Sequence, residues 1–194
     1  PLEERVVTIS RAKMSVDYPA SFMLIAAMNP CPCGYYNHPD TKCSCPPGAV
    51  QKYLSRISGP LLDRIDLHVE VTPTSFKDLM INTPGEKSDV IRARVIKARN
   101  IQELRFKDIN GVYCNSQMTS KMLKTYCKLG DESISIMKTA MERLNLSARA
   151  YDRILKVART IADLDNSSNI KTEHISEAIH YRSLDRASWG VYKS

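Results

Sequence analysis

Four of the chain's six cysteines share one short loop, NPCPCGYYNHPDTKCSCPPG, as Cys31, Cys33, Cys43 and Cys45. Two C-x-C pairs with nine residues between them constrain this stretch more than any other feature of the sequence. A polar loop of this kind has little core of its own, so metal binding can supply its folding free energy. Four thiolates brought together match the tetrahedral Cys₄ set that structural Zn²⁺ prefers, although C-x-x-C pairs are commoner. Pro32, Pro46 and Pro47 stiffen the loop, and Gly34 permits a tight turn. The alternatives are four reduced thiols, or two disulfides formed on oxidation. His38, inside the loop, is expected to face solvent, and Cys114 and Cys127 to be packed thiols.

Before the loop, VVTIS, RAKM and SVDYP read as strand, turn and strand. SFMLIAAMN is short, apolar and bounded by polar residues, which suits a strand buried on both faces. After the loop, QKYLSRIS predicts a short helix ending near Gly59 and Pro60. IDLHVEV alternates Leu67, Val69 and Val71 with Asp66, His68 and Glu70, the pattern of a half-buried strand.

A Pro- and Gly-punctuated linker, TPTSFKDLMINTPGEKSDV, precedes a helix over SDVIRARVIKARNIQELRF, with Val90, Ala93, Ile101 and Leu104 recurring among charges. Further helices are predicted over MTSKMLKTYCKLG, with Gly130 as its C′ residue, and over DESISIMKTAMERLN. In SARAYDRILKVARTIADLD, Tyr151, Ile154, Leu155, Ala158 and Ala162 fall on one face. On another face, Arg149 begins a basic stripe with Arg153 and Lys156, the latter two read as solvated. Thr172 is the expected N-cap of the closing helix, KTEHISEAIHYRSL. The fold class is therefore α/β followed by all-α. The boundaries fall at 1–76 with the cysteine-rich insert at 30–48, then a linker and connecting helix over 77–112, then a helical domain over 113–194.

A formal charge of +7 leans toward an anionic partner such as nucleic acid. The longest apolar run, Phe22 to Met28, is far short of the roughly 20 residues a membrane span needs. PLEERVVTIS lacks the apolar region of a signal peptide, which with the cysteine pattern favours reduced thiols and a cytoplasmic location. INTPGEKS has the look of a P-loop but not its glycine spacing, and no apolar run ends in an acidic pair. The parts that grip a nucleotide are missing from this sequence.

FMLIAAMNP followed by SRISGPLLDRIDLHVEV resembles the second half of an AAA+ ATPase core. Together with LNLSARAYDRILKVARTIADL and HISEAIHYRSLDR, it is similar to the magnesium-chelatase-like AAA+ ATPases of the ComM (YifB) type over nearly the whole chain. The resemblance implies a longer protein, with the P-loop and Walker B acid upstream of Pro1, using ATP with Mg²⁺. It implies that 1–76 is the rear of the AAA+ core and 113–194 its helical lid. It also implies a homo-oligomeric ring, a hexamer, acting on DNA as a helicase or branch-migration engine.

Carried over by position, Asn29 matches sensor 1, Arg64 in GPLLDRID the arginine finger, and Arg149 in LSAR sensor 2. For Arg64 the plainer reading is a surface ion pair with Asp63 or Asp66. The cysteine loop becomes an insertion between sensor 1 and the finger. The hairpin resembles the pre-sensor-1 hairpin of this clade, making Arg11 and Lys13 candidates for contacting nucleic-acid phosphate; a solvated basic turn is the equal alternative. The rival functions are the motor subunit of a metal chelatase, and a zinc-containing DNA-binding or scaffold module without ATPase activity.

Overall fold

A computed structural model describes residues 2–71, 74, 80 and 85–182. The chain divides into two compact units, Pro1–Arg64 and Ile65–Ser194. Helix 88–106 falls within the second unit. INTPGEKS, most of the linker and everything after Arg182 lie wholly or partly outside the described residues.

The first unit opens on a hairpin, β1 (Val6–Arg11) and β2 (Met14–Pro19), paired antiparallel from Val6 opposite Pro19 to Arg11 opposite Met14. The turn is thus the two residues Ala12 and Lys13, tighter than the RAKM expected. Cross-strand bonds join Thr8 to Asp17 (2.6 Å) and Ser10 to Ser15 (2.9 Å). The cysteine loop follows, then α1 (Ala49–Leu54) and α2 (Gly59–Leu62). Gly59 and Pro60 therefore begin a helix instead of ending one. Proline lacks the N–H that a first helical turn leaves unbonded, so it starts helices readily.

Two expected strands do not form. Ser21 to Asn29 is irregular, with Met23 and Ile25 each 81% exposed, and it does not join the two-stranded sheet, the only one among the described residues. A strand buried on both faces needs a neighbour at each edge. Ile65 to Val71 is not a strand either, and its burial is inverted: Leu67, Val69 and Val71 are exposed while His68 is buried. The His68 N–H donates to the Tyr181 carbonyl (2.8 Å), and Arg182 donates to the Ile65 carbonyl. Backbone anchoring, not side-chain alternation, sets which residues face inward.

The second unit is a bundle of α3 (Ser88–Phe106), a 3₁₀ turn (Asn115–Gln117), α4 (Ser120–Tyr126), α5 (Asp131–Arg143), α6 (Ala148–Leu164) and α7 (Thr172–His180). The central helix is α6, against which α3, α4, α7 and the 3₁₀ turn all pack. The expected apolar stripe of α6 buries Ile154, Leu155, Ala158 and Ala162, joined by Phe106, Leu123, Met137 and Ile175. Tyr151, at the stripe's N-terminal end, stays partly exposed. The Ser147 hydroxyl caps α6 by accepting from the Ala150 N–H (3.2 Å).

Other boundaries shift. Helix α4 stops at Tyr126, and Gly130 is the N-cap of α5, with φ −76°, not a left-handed C′ residue. Lys171, not Thr172, caps α7; its N–H donates to His174 Nδ1 (3.1 Å). Helix α3 turns Ala98, Gln102 and Phe106 inward, leaving Val90 and Leu104 exposed.

The buried Gln102 explains that choice of face. Its Oε1 accepts from the Asn115 N–H (3.2 Å), while Arg105 grips Asp163 with both terminal nitrogens (2.7 and 2.5 Å) and also donates to Asn115 Oδ1 (2.8 Å). Asn115 Nδ2 donates to Asp163 (2.8 Å), and Arg159 Nε donates to the same carboxylate (3.1 Å). A polar network, beside the buried Ala98 and Phe106, seats α3 on α6.

Candidate metal centre

The four loop cysteines converge. Cys31 Sγ lies 3.3 Å from Cys33 Sγ and 3.7 Å from Cys43 Sγ, with Cys33 and Cys43 3.4 Å apart. With Cys45, all four sulfurs lie within 4.8 Å of one another, the one such cluster among the described residues. A tetrahedral ion with Zn–S near 2.3 Å sets its sulfurs about 3.8 Å apart. A disulfide needs about 2.05 Å, and all six cysteines are free thiols. The donor set thus fits a soft, tetrahedral divalent ion.

Local backbone builds this cage. Gly34 takes a left-handed φ of +85°, and its N–H donates back to the Cys31 carbonyl (3.0 Å), folding the first pair around a tight turn. Gly48 (φ +78°) closes the far end as the N-cap of α1. Cys31 is fully buried and its three partners are half-buried.

The thiols do not share charge evenly. Hydrogen bonding, first from the Tyr35 backbone, holds Cys33 down to about 5. Lost hydration, then the neighbouring thiols, push Cys45 up to about 12 despite a backbone hydrogen bond from Cys33. Four clustered thiols cannot all ionise unaided, and a dication removes that conflict.

His38, expected to face solvent, is half-buried and bonded. Its Nδ1 accepts from the N–H groups of Asp40 and Thr41 (3.1 Å each), and its ring meets Tyr35 edge-on at 5.6 Å.

Arg11 and Lys13 are exposed at the hairpin turn, and Asn29 is exposed at the end of the irregular apolar segment. Arg64 follows α2; its Nη1 donates to the Pro60 carbonyl (2.8 Å) and its Nε lies 3.4 Å from Glu3. Its ion pair is thus with Glu3 in place of the expected Asp63 or Asp66, and Asp66 pairs with Arg153 (2.7 Å). Arg153 is thus not solvated, its side chain being only 14% exposed, and Lys156 donates to the Ser116 carbonyl (3.1 Å). Both are claimed by segments packed on α6. Arg149 is exposed in the first turn of α6.

The sequence pattern marked neither the bonding of His38 nor the Arg105–Asn115–Asp163 network. The Arg159–Asp163 spacing of i, i+4, set beside the apolar stripe of α6, was the available signal for the network.

Comparison with known proteins gives a consistent match. Residues 85–182 match the family described as magnesium chelatase, subunit ChlI C-terminal, and residues 1–79 match magnesium chelatase, subunit ChlI. The chain is 43% identical to the competence protein ComM of Haemophilus influenzae over 188 residues, covering 96% of this chain and 35% of that protein. It is 40% identical to YifB of Escherichia coli, with 96% and 36% covered. An uncharacterized protein of Mycobacterium bovis, Mb2921c, is 31% identical over 182 residues. The chain spans about a third of the length of these relatives.

Proposed function

Because the chain belongs to the magnesium-chelatase-like family of ComM and YifB, we propose that it is the C-terminal portion of a ring-forming AAA+ ATPase motor that acts on DNA. The observation that carries this reading is the match of both family profiles, in order, over 1–79 and 85–182. The exposed apolar side chains of Phe22 to Met28 support it, since they suit a strand of a sheet that the rest of the protein completes.

In this reading ATP and Mg²⁺ bind to residues outside the present sequence, and this chain supplies groups that act on the phosphates. Arg64 is the arginine finger: a planar, permanently charged guanidinium that neutralises charge growing on the transferring phosphoryl group. Its light tether, to Pro60 and Glu3 at 31% exposure, leaves it able to reach a neighbouring subunit of the ring, a hexamer. Asn29 orients water through an amide with no charge to titrate, and Arg149 acts as sensor 2. Arg11 and Lys13 contact DNA phosphate at the hairpin turn. Zn²⁺ held by Cys31, Cys33, Cys43 and Cys45 is structural. The work is cytoplasmic, on DNA undergoing recombination or uptake; six free thiols suit a reducing compartment.

Arg64 provides the test, in the longer protein that includes the phosphate-binding residues. Arg64→Ala should lower ATP turnover by about 10³-fold or more while sparing nucleotide binding. Arg64→Lys should rescue poorly, because an ammonium lacks the planar fork. Mixing Arg64→Ala with a variant lacking the P-loop lysine should restore part of the activity. Unchanged turnover in Arg64→Ala would reduce Arg64 to the partner of Glu3 and favour a zinc-containing module without ATPase activity.

A further inference from the structure

We infer that His38 is the positioning residue of the cysteine cage: its neutral ring closes the span between the two C-x-C pairs and so sets the affinity for metal. The inference rests on the zinc reading above and concerns a residue that supplies no ligand.

Nine residues separate Cys33 from Cys43, and the sulfurs at their ends must meet at 3.4 Å. Left to itself, such a span loses conformational entropy each time it closes. The structure closes it in consecutive turns that meet at His38. Behind it, the His38 N–H donates to the Tyr35 carbonyl (3.2 Å), across a turn in which Asn37 is left-handed at φ +60°. Ahead of it, Nδ1 accepts from the N–H groups of Asp40 and Thr41, at 3.1 Å each. That forward pattern, a side-chain acceptor bonding backbone two and three residues on, is the one asparagine and aspartate use to imitate a backbone turn. Pro39 presets the backbone directly after the ring.

The chemistry fixes the form of the ring. Both groups facing Nδ1 are N–H donors, so Nδ1 carries no proton and the single ring proton sits on Nε2. Nδ1 cannot ligate a metal while it holds both amides. The edge of Tyr35, at 5.6 Å and 71°, braces the ring in this orientation. Tyr35 is also the first source of hydrogen bonding to Cys33, so the brace and the cage share a residue.

The test is metal titration of the whole chain, with Co²⁺ as a spectroscopic probe and Zn²⁺ in competition with a chromophoric chelator. His38→Ala should bind Zn²⁺ roughly tenfold more weakly, the scale of one or two lost hydrogen bonds. Its Co²⁺ complex should keep the four-thiolate charge-transfer spectrum of the unaltered chain. His38→Asn places Oδ1 where Nδ1 was and should return the affinity to within about twofold of the original. An unchanged affinity in His38→Ala, or no rescue by asparagine, would overturn the positioning role while leaving zinc in place. A Co²⁺ spectrum that changes in His38→Ala would overturn it in favour of direct ligation. If the unaltered chain takes up neither ion, the zinc reading itself fails and this inference falls with it.

Discussion

Two of the six cysteines end up with opposite chemistry. Cys33 is held down to about 5 by hydrogen bonding, first from the Tyr35 backbone, in a half-buried loop. Cys127, 4% exposed in the bundle core, is pushed up to about 11 by burial, which outweighs the nearby Arg159 and Arg105 charges. The thiolate is the nucleophile, so at pH 7 the first is charged and reachable and the second is neither. In metal-stripped chain, iodoacetamide should therefore label Cys33 well before Cys127. Cys127 should react only once denaturant opens the bundle, and zinc should protect Cys33. Peptide mass spectrometry over a time course reads this directly; equal rates at the two positions would contradict the burial and hydrogen bonding described.

At the scale of elements, α6 organises the second unit through two different kinds of contact. Its apolar stripe was legible because Ile154, Leu155, Ala158 and Ala162 recur at helical spacing, and burial follows that period. The seat of α3 was not legible. Its apolar residues are scattered round the helix, and Gln102 and Arg105 gain their meaning only when the fold brings Asn115 and Asp163 to them. Likewise the cysteine cage was readable from spacing, while the role of His38 depended on two backbone amides that no sequence pattern marks. The strands expected at 21–29 and 65–71 failed for a third reason: strand pairing is non-local, and among the described residues the only sheet is the β1–β2 hairpin, which neither segment joins. The α3 seat can be tested by Asp163→Ala, which strands the Arg105 and Arg159 guanidinium groups and Asn115 without their shared acceptor. Removing one partner of a buried ion pair costs about 3–5 kcal/mol. Urea unfolding of the chain should show a loss of that order; a loss below about 1 kcal/mol would mean that apolar packing alone holds α3.

At the scale of the whole molecule, the two units differ in what stabilises them. The bundle buries a continuous apolar cluster from Phe106 to Ala178. In the first unit the buried apolar side chains among the described residues are only Cys31, Leu54 and Leu62. A unit with so little core depends on other sources of folding free energy, and a metal held by the four cysteines would be one. A zinc ion held by the four cysteines would therefore support one unit and not the other. Hydrogen–deuterium exchange of the intact chain, with and without a zinc chelator, separates the two. With chelator, or in Cys43→Ser, amides across 30–48 should lose protection, including those of Asp40 and Thr41 that donate to His38. Amides of α6 should exchange at unchanged rates, because Ile154, Ala158 and Ala162 owe their burial to the neighbouring helices. Loss of protection in α6 along with the loop would show that the bundle draws stability from the metal after all. Unchanged protection at 30–48 would show that the turns centred on Gly34 and His38 hold the loop without an ion.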